Sequence, residues 1–460
     1  MRRWWCNGLW GSRRAPRLPS FPDSVWERFL VPARFHLAHF FTVPTKVGDG
    51  IASASAFPDG VWERGMRKTR PRWERGKGNN RAGRNAGVAI KVSGAMGSHM
   101  NSITTYAPGR AELLGNHTDY NEGFVLALAV DRGTTMTGCA RDDRKVQIHS
   151  RELGKTETIA LDKLAAEQVS PWSRYTLGVV DQFRRNDLPV AGFEAEISGN
   201  LPLGAGLSSS ASLENATVLF LAKLFGAKLE PMQMARLAQK AEHDFVGVRC
   251  GLLDQIASLM STAHHATFID CRTTEVSHVP LDGTVSVIIA NSNVKHALVG
   301  GEYNERRSDC EAAAHALGVP FLRDATTEML KARKSELADR IYRRALHVTG
   351  ENERVLEGAA ALRAGKIARF GELMFESHQS SIVNFENSIP ELDRLVEAAR
   401  QSPAVLGARL SGGGFGGATI NVVKKGREEE VVQALTAALP QVTCLVTHSS
   451  DGALAYAAKR

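Results

Sequence analysis

The run Pro202 to Ser212, PLGAGLSSSAS, sets two glycines and four serines directly in front of an apolar helical pattern. The first N–H groups of a helix lack intrahelical partners and carry partial positive charge, so such a start binds phosphate oxygens. Gly204 and Gly206 lack a Cβ and let the backbone curl around a ligand, while the serine hydroxyls add donors and a ligand for magnesium. A flexible Gly/Ser linker would not run straight into an amphipathic helix. That helix shows Leu213, Ala216, Phe220 and Leu224 on one face, with Gly226 placed to end it in a left-handed conformation. Two look-alikes fail. Gly154-Lys155-Thr156 has His149 where a Walker A loop needs glycine, and reads as a surface turn. Gly412 to Gly417 fits G-x-G-x-x-G, but strand-like sequence follows where a dinucleotide fingerprint needs a helix.

A second constellation lies in Ala107 to Gly123, APGRAELLGNHTDYNEG. Arg110, Asn116, His117, Asp119 and Asn121 crowd donors and acceptors into one segment, as hydroxyl-rich ligands require.

The elements that must position these segments can be read coarsely. Phe124 to Val130, bounded by Gly123 and Asp131, and Thr284 to Ala290 are apolar runs of strand length. Pro231 suits the first turn of a helix through Met234, Leu237, Ala238 and Ala241. Helical patterns dominate from 290 to Arg400, after which Ala408 to Leu410 and Ala418 to Val423 read as strands joined by a glycine loop. The pattern is α+β in two lobes, dividing near 285 to 295.

Composition narrows the function classes. Residues 1–100 carry 18 Lys+Arg against 6 Asp+Glu, and the remainder 39 against 43, so the net charge of +8 belongs to the N-terminal stretch. A polyanion-binding surface on the main body is disfavoured, and with it a nucleic-acid partner. Six of the seven tryptophans also lie in that stretch, and FPDSVWER at Phe21 to Arg28 returns as FPDGVWER at Phe57 to Arg64. Residues 1–99 read as an extension that is disordered or foreign to the working protein, with Met96 or Met100 as the start; Gly97-Ser98-His99-Met100 looks like a cloning scar. No run of about 18 apolar residues offers a membrane span. Cys6, Cys139, Cys250, Cys271, Cys310 and Cys444 lie far apart without zinc-site spacing, which suits free thiols and the cytoplasm.

Four motifs in order, APGR-x-x-x-x-G-x-H-T-D-Y-N-x-G, LPLGAGLSSSAS, CGLLDQ at Cys250 to Gln255 and SGGGFGG at Ser411 to Gly417, resemble the galactokinases of the GHMP small-molecule kinase family. The likeness extends through NSNVKHALVGGEYNERRSDCE and covers residues 101–460. It implies a two-lobed α+β GHMP kinase fold, with the active site between an N-terminal domain at 100–290 and a ferredoxin-like C-terminal domain at 291–460. It also implies transfer of the γ-phosphoryl of ATP to O1 of α-D-galactose, with ATP and Mg2+ bound and the chain expected as a monomer. Carried over residue by residue, Asp254 matches the catalytic base and Arg110 its partner. Gly204, Ala205, Gly206, Leu207, Ser208, Ser209 and Ser210 match the nucleotide loop, and Ser210 and Glu242 the magnesium ligands. Asn116, His117, Thr118, Asp119, Gly251 and Tyr303 fall on the sugar side, and Gly412 to Gly417 on the loop that closes on the phosphates.

One departure bears on specificity. Galactokinases usually read R-x-N-x-x-G-E-H-x-D-Y, whereas Glu112 and Asn116 here exchange the asparagine and glutamate positions. Asn116 is expected to keep a hydroxyl contact on the sugar's O6 side, and Glu112 to hydrogen-bond with it. The alternatives are the same chemistry on N-acetylgalactosamine or arabinose, and a non-catalytic galactose and ATP sensor.

Overall fold

The computed structural model describes residues 102–459 apart from 203, 204, 282 and 296–298. Cys6, Gly204 and residues 1–99, with the starts at Met96 or Met100, therefore lie outside the described residues.

Two sheets organise the chain. The first grows around an unusually long strand. β1 (Ile103–Leu114) pairs antiparallel with β2 (Phe124–Ala140), which also carries β5 (Phe193–Gly199) and β6 (His265–Asp270) as antiparallel neighbours. The hairpin β3 (Lys145–Ser150) and β4 (Lys155–Ala160) joins outside β5, and β7 (Val276–Pro280) outside β6. The apolar run Phe124 to Val130 was expected to end at Asp131, but β2 continues ten residues further. Gly133 permits this: a Cβ there would lie 2.3 Å from the Ala107 carbonyl oxygen, so glycine lets β2 keep hugging β1. The turn at Gly154, with φ +60, sits between β3 and β4 as expected.

Four helices cover one face of this sheet. α1 (Arg174–Arg185), α2 (Ser209–Phe225), α3 (Pro231–Ala241) and α4 (Leu253–Met260) bury Val179, Phe183, Phe220, Ala238 and Ile256 against Val125, Ala127, Met136 and Phe193. Gly226 ends α2 at φ +73, its N–H donating to the Ala222 carbonyl, and Pro231 opens α3, where its missing N–H costs nothing.

The second sheet begins with β8 (Val285–Lys295). After it come α5 (Val299–Leu317), α6 (Thr327–Ala332), α7 (Asp339–Arg363), α8 (Ile367–Ser380) and α9 (Pro390–Gln401), then β9 (Val405–Leu410), β10 (Gly416–Lys424), α10 (Glu428–Ala438) and β11 (Thr443–Thr447). The strand order β11-β8-β10-β9, antiparallel throughout, is that of a split β-α-β or ferredoxin-like sheet. One face packs on α9 and α10 through Ile288, Leu395, Val423 and Leu435. The other shares a core with the first sheet: Leu114, Leu126 and Leu128 meet Phe370, Met374, Ile420 and Val422. The two-residue β12 (Ser449–Ser450) leaves β11 and returns to β2, and α11 (Ala453–Ala458) closes the described chain. Among the described residues no helix is long and apolar enough to cross a membrane, and all five described cysteines are free.

The helical insert reaches the first sheet because α8 lies flat on β9. A Cβ on Gly371 would stand 1.8 Å from the Leu406 carbonyl oxygen, and one on Gly407 2.5 Å from the Gly371 Cα. This contact delivers α7 and the end of α8 to the segment after β1. Gly371→Ala must push helix and strand apart, so it is expected to destabilise the protein by about 1–3 kcal/mol, read as a lowered urea midpoint at unchanged m-value.

Candidate functional site

Arg110 is the meeting point. The β1 ladder shifts register around Gly109, where a Cβ would fall 2.7 Å from the Leu207 carbonyl oxygen, and the Arg110 N–H donates to that oxygen at 3.1 Å. The glycine bulge thus lays β1 against the turn before α2. From there the buried guanidinium donates through Nε and Nη2 to Asp254 Oδ1 at 2.7 and 2.6 Å, and through Nη1 to the Gly206 carbonyl at 2.7 Å. Asp254 sits in the first turn of α4, and its Oδ2 accepts from Ser208 Oγ at 2.6 Å. Gly206 and Ser208 adopt positive φ, +66 and +52, which bends the turn back over the carboxylate. Charge-assisted bonds of this kind are short and roughly twice as strong as neutral ones.

Residues 115–123 form the other wall, held from a distance. Glu351 on α7, fully buried, accepts from the Gly115 and Asn116 N–H groups at 3.1 Å each and from Ser377 Oγ at 3.0 Å. Its neighbour Asn352 accepts from the Phe124 N–H at 2.9 Å, so two consecutive side chains of α7 grip both ends of the segment. Burial alone would raise the Glu351 pKa, but the positive charge of Arg354, with Arg409 farther off, outweighs it and brings it from 4.5 to about 2.

Within that segment the expected sugar-side residues separate into two groups. Asp119 and Gly251 face each other so closely that a Cβ on Gly251 would strike the Asp119 carboxylate at 2.0 Å; only glycine leaves that carboxylate its place. Burial, then the charges of Asp254 and Glu112, push the Asp119 pKa up to about 7. The Tyr303 ring lies against that of His117, tilted at 40° with centroids 5.1 Å apart. His117 is kept neutral, its pKa lowered to about 4 chiefly by burial, with Nε2 3.1 Å from the Gly413 carbonyl and Nδ1 2.9 Å from the Tyr120 hydroxyl. The carbonyl can only accept, so Nε2 carries the proton and Nδ1 receives that of Tyr120.

Asn116 and Thr118 depart from expectation. Asn116 lines the cavity, but its Nδ2 donates to the Gly412 carbonyl at 2.7 Å and its Oδ1 accepts from Asn387 Nδ2 at 3.0 Å. The amide is occupied at both ends by protein. Thr118 is fully buried behind the wall, its hydroxyl shared between the Gly115 and Phe124 carbonyls at 2.8 and 2.6 Å. It closes the turn and does not line the cavity. Glu112, expected to pair with Asn116, instead faces Arg409 Nη1 at 3.6 Å.

On another side, Ser209 and Ser210 open α2, whose first N–H groups lack intrahelical acceptors as those of any helix do; Ala205 and Leu207 turn their side chains into the core. Glu242 ends α3, and burial, then the charge of Asp254, raise its pKa to about 7. It accepts from Cys250 Sγ at 3.3 Å and from Gln255 Nε2 at 3.2 Å, while the same Nε2 reaches Glu214 at 3.1 Å. A buried carboxylate pushed toward protonation by burial and by the charge of Asp254 is one that a divalent cation would neutralise, so Glu242 fits magnesium. Opposite lies the turn Ser411 to Gly417, where Gly412, Gly414, Gly416 and Gly417 all have positive φ and a Cβ on Gly414 would meet the Asn387 carbonyl at 2.1 Å.

Together these walls enclose a cavity of about 380 Å³ lined by Arg110, Glu112, Asp119, Glu242, Asp254 and Tyr303 among others. It is small, strongly acidic, and flanked by an anion-binding helix start. That combination suits a polyhydroxylated ligand whose hydroxyl loses a proton beside a phosphate. Sequence reasoning missed Glu351, Asn352, Asn387 and Arg409, whose contacts with the 112–124 segment span more than 200 residues; Glu214 and Gln255 stood inside or beside the quoted motifs and could have been found there.

Three family models match the chain. Residues 95–139 fit the galactokinase galactose-binding signature, 174–262 the GHMP kinases N terminal domain and 359–441 the GHMP kinases C terminal domain. The chain is 44% identical to the galactokinase of Homo sapiens over 330 residues, 70% of this chain and 84% of that protein. It is 41% identical to that of Pasteurella multocida over 351 residues, 75% and 91% of the two chains. Lactococcus lactis galactokinase complexed with galactose superposes with a TM-score of 0.73 at 31% identity, over 76% of this chain and 94% of that one. Methanococcus jannaschii mevalonate kinase, at 18% identity, TM-score 0.55 and coverage of 76% and 99%, shares the fold.

The Glu351 geometry generates a pH-dependent expectation. Its folded pKa lies below its ordinary value, so its contribution to stability is present above pH 4.5 and is lost as pH falls toward 2. Glu351→Gln is expected to cost about 3 kcal/mol at pH 7, with the gap to the parent protein closing between pH 4.5 and 2 in denaturant titrations.

Proposed function

Because the chain belongs to the galactokinases of the GHMP kinase family, we propose that its cavity transfers the γ-phosphoryl group of ATP to O1 of α-D-galactose with Asp254 as the base. The chain is an ATP-dependent kinase, and the observation that carries the residue assignment is the Arg110–Asp254–Ser208 knot at the mouth of the phosphate turn.

A sugar hydroxyl is a poor nucleophile at neutral pH. Asp254, held in one orientation by the two Arg110 bonds, accepts the O1 proton as the bond from O1 to the γ-phosphorus forms and the bond from that phosphorus to the bridging oxygen of ADP breaks. The products are galactose 1-phosphate and ADP, and the proton leaves Asp254 to solvent. Arg110 orients the base and adjoins the oxygens on which charge accumulates. Ser208, assigned from sequence to the nucleotide, is read as sharing its hydroxyl with Asp254 and so fixing the distance between base and phosphate turn. Ser209, Ser210 and the α2 amides receive the phosphates; Asp119 and Tyr303 receive the sugar, with His117 and Gly251 shaping its seat. Magnesium, held by Ser210 and Glu242, would neutralise phosphate charge. The first sheet with α1 to α4 is assigned to the N-terminal lobe and the second with its helices to the C-terminal lobe, in a monomer of the cytoplasm, a setting that free thiols suit.

A sugar sensor on the same fold is the competing reading, and the intact SSSAS run beside a correctly braced Asp254 favours catalysis. ADP release is expected to depend on galactose, with phosphorus at O1 by NMR. Asp254→Ala should lower kcat by about 10²–10⁴-fold while calorimetric galactose binding persists; galactose binding by the parent protein without turnover would instead mark a sensor. Glu242→Gln should raise the magnesium concentration for half-maximal rate by about tenfold or more, measured at saturating galactose.

A further inference from the structure

The walls of the cavity differ in how much hydrogen-bonding capacity the protein has already used. Both ends of the Asn116 amide and both nitrogens of His117 are engaged by protein, and Arg110 is committed to Asp254 and Gly206. Glu112 is different. Its side chain is only 4% exposed, it lines the cavity, and its Oε1 accepts no hydrogen bond from any described group. Arg409, fully buried on β9, stands 3.6 Å from that oxygen with Nε and Nη2 also unpartnered.

A carboxyl this deeply buried without a hydrogen bond is costly, whereas a ligand hydroxyl arriving to donate removes the cost. The register shift between Glu112 and Leu114 in β1 gives the side chain its place at the wall, and Arg409 backs it as a counter-charge. We propose that Glu112 is a specificity-determining residue that accepts a hydrogen bond from a hydroxyl of the bound sugar, while Asn116 serves as the clasp that ties this wall to the Gly412 turn. The exchange of residue types noted in the sequence is then an exchange of duties. Discrimination against a sugar lacking that hydroxyl follows, because the deoxy analogue leaves the buried carboxyl with its ion pair but without that hydrogen bond.

This inference rests on the galactose-kinase reading, and the test separates the two. Galactose and its 2-, 3-, 4- and 6-deoxy analogues are titrated calorimetrically into the parent protein, Glu112→Ala and Glu112→Gln, and kcat/KM is measured for each pair. For one analogue the parent protein is expected to lose about 10–100-fold in affinity, and Glu112→Ala to shrink that penalty to within about threefold while leaving the other penalties in place. Glu112→Gln, which keeps a neutral acceptor, should fall between, and serves as the reporter if the alanine variant does not fold. Unchanged penalties at every position in both variants overturn the role of Glu112 alone. Failure of the parent protein to bind or phosphorylate galactose overturns the underlying reading and this one with it.

Discussion

The guanidinium of Arg110 is the constraint on which the site depends. It has five N–H donors in a fixed plane, and in this protein they tie together three pieces of chain: the bulge of β1, the turn before α2 and the first turn of α4. An arginine buried this deeply must find acceptors, and the acceptors available are the carboxylate and the carbonyl that have to be aligned. Removing the charge would leave Asp254 facing Asp119 and Glu242 without the guanidinium that now pairs with it, so the arrangement of carboxylates presupposes it.

The acidic wall and the anion-binding turn answer one another. Asp119 and Glu242 are raised toward neutrality by burial and by nearby negative charge, a state that favours occupants bringing hydroxyl protons or cations. The α2 start offers the opposite sign. The proposed placement of substrates therefore follows sign as well as shape, with phosphates at one end and hydroxyls at the other.

Local chemistry was readable from sequence wherever neighbours in the chain act together. The glycine and serine turn, the helix it opens, the Gly226 stop, the strands around Gly412 to Gly417 and the role of Gly154 all follow from spacing. The extent of β2 was misread because Asp131 and Gly133 look like a break, and only the proximity of Ala107 explains why they are not. Thr118 and Asn116 sat in the right segment, but which way each faces depends on Phe124, Asn387 and Gly412. Glu351 and Asn352 are unremarkable on a helix that reads as polar, and the segment they grip lies some 230 residues earlier. No periodicity encodes a partner at that range.

The tie between Asn116 and Gly412 spans 296 residues, and so sets a schedule for synthesis. At about 5–20 residues per second, roughly 15–60 s separate the emergence of the two residues from the ribosome. For the last part of that interval, once Asp254 has emerged, the turn before α2 and the start of α4 are already outside, while the wall facing them is still unmade. The nascent chain cannot complete the cavity until β9 and the turn after it arrive, so the site is assembled in one late step and not in proportion to the length made.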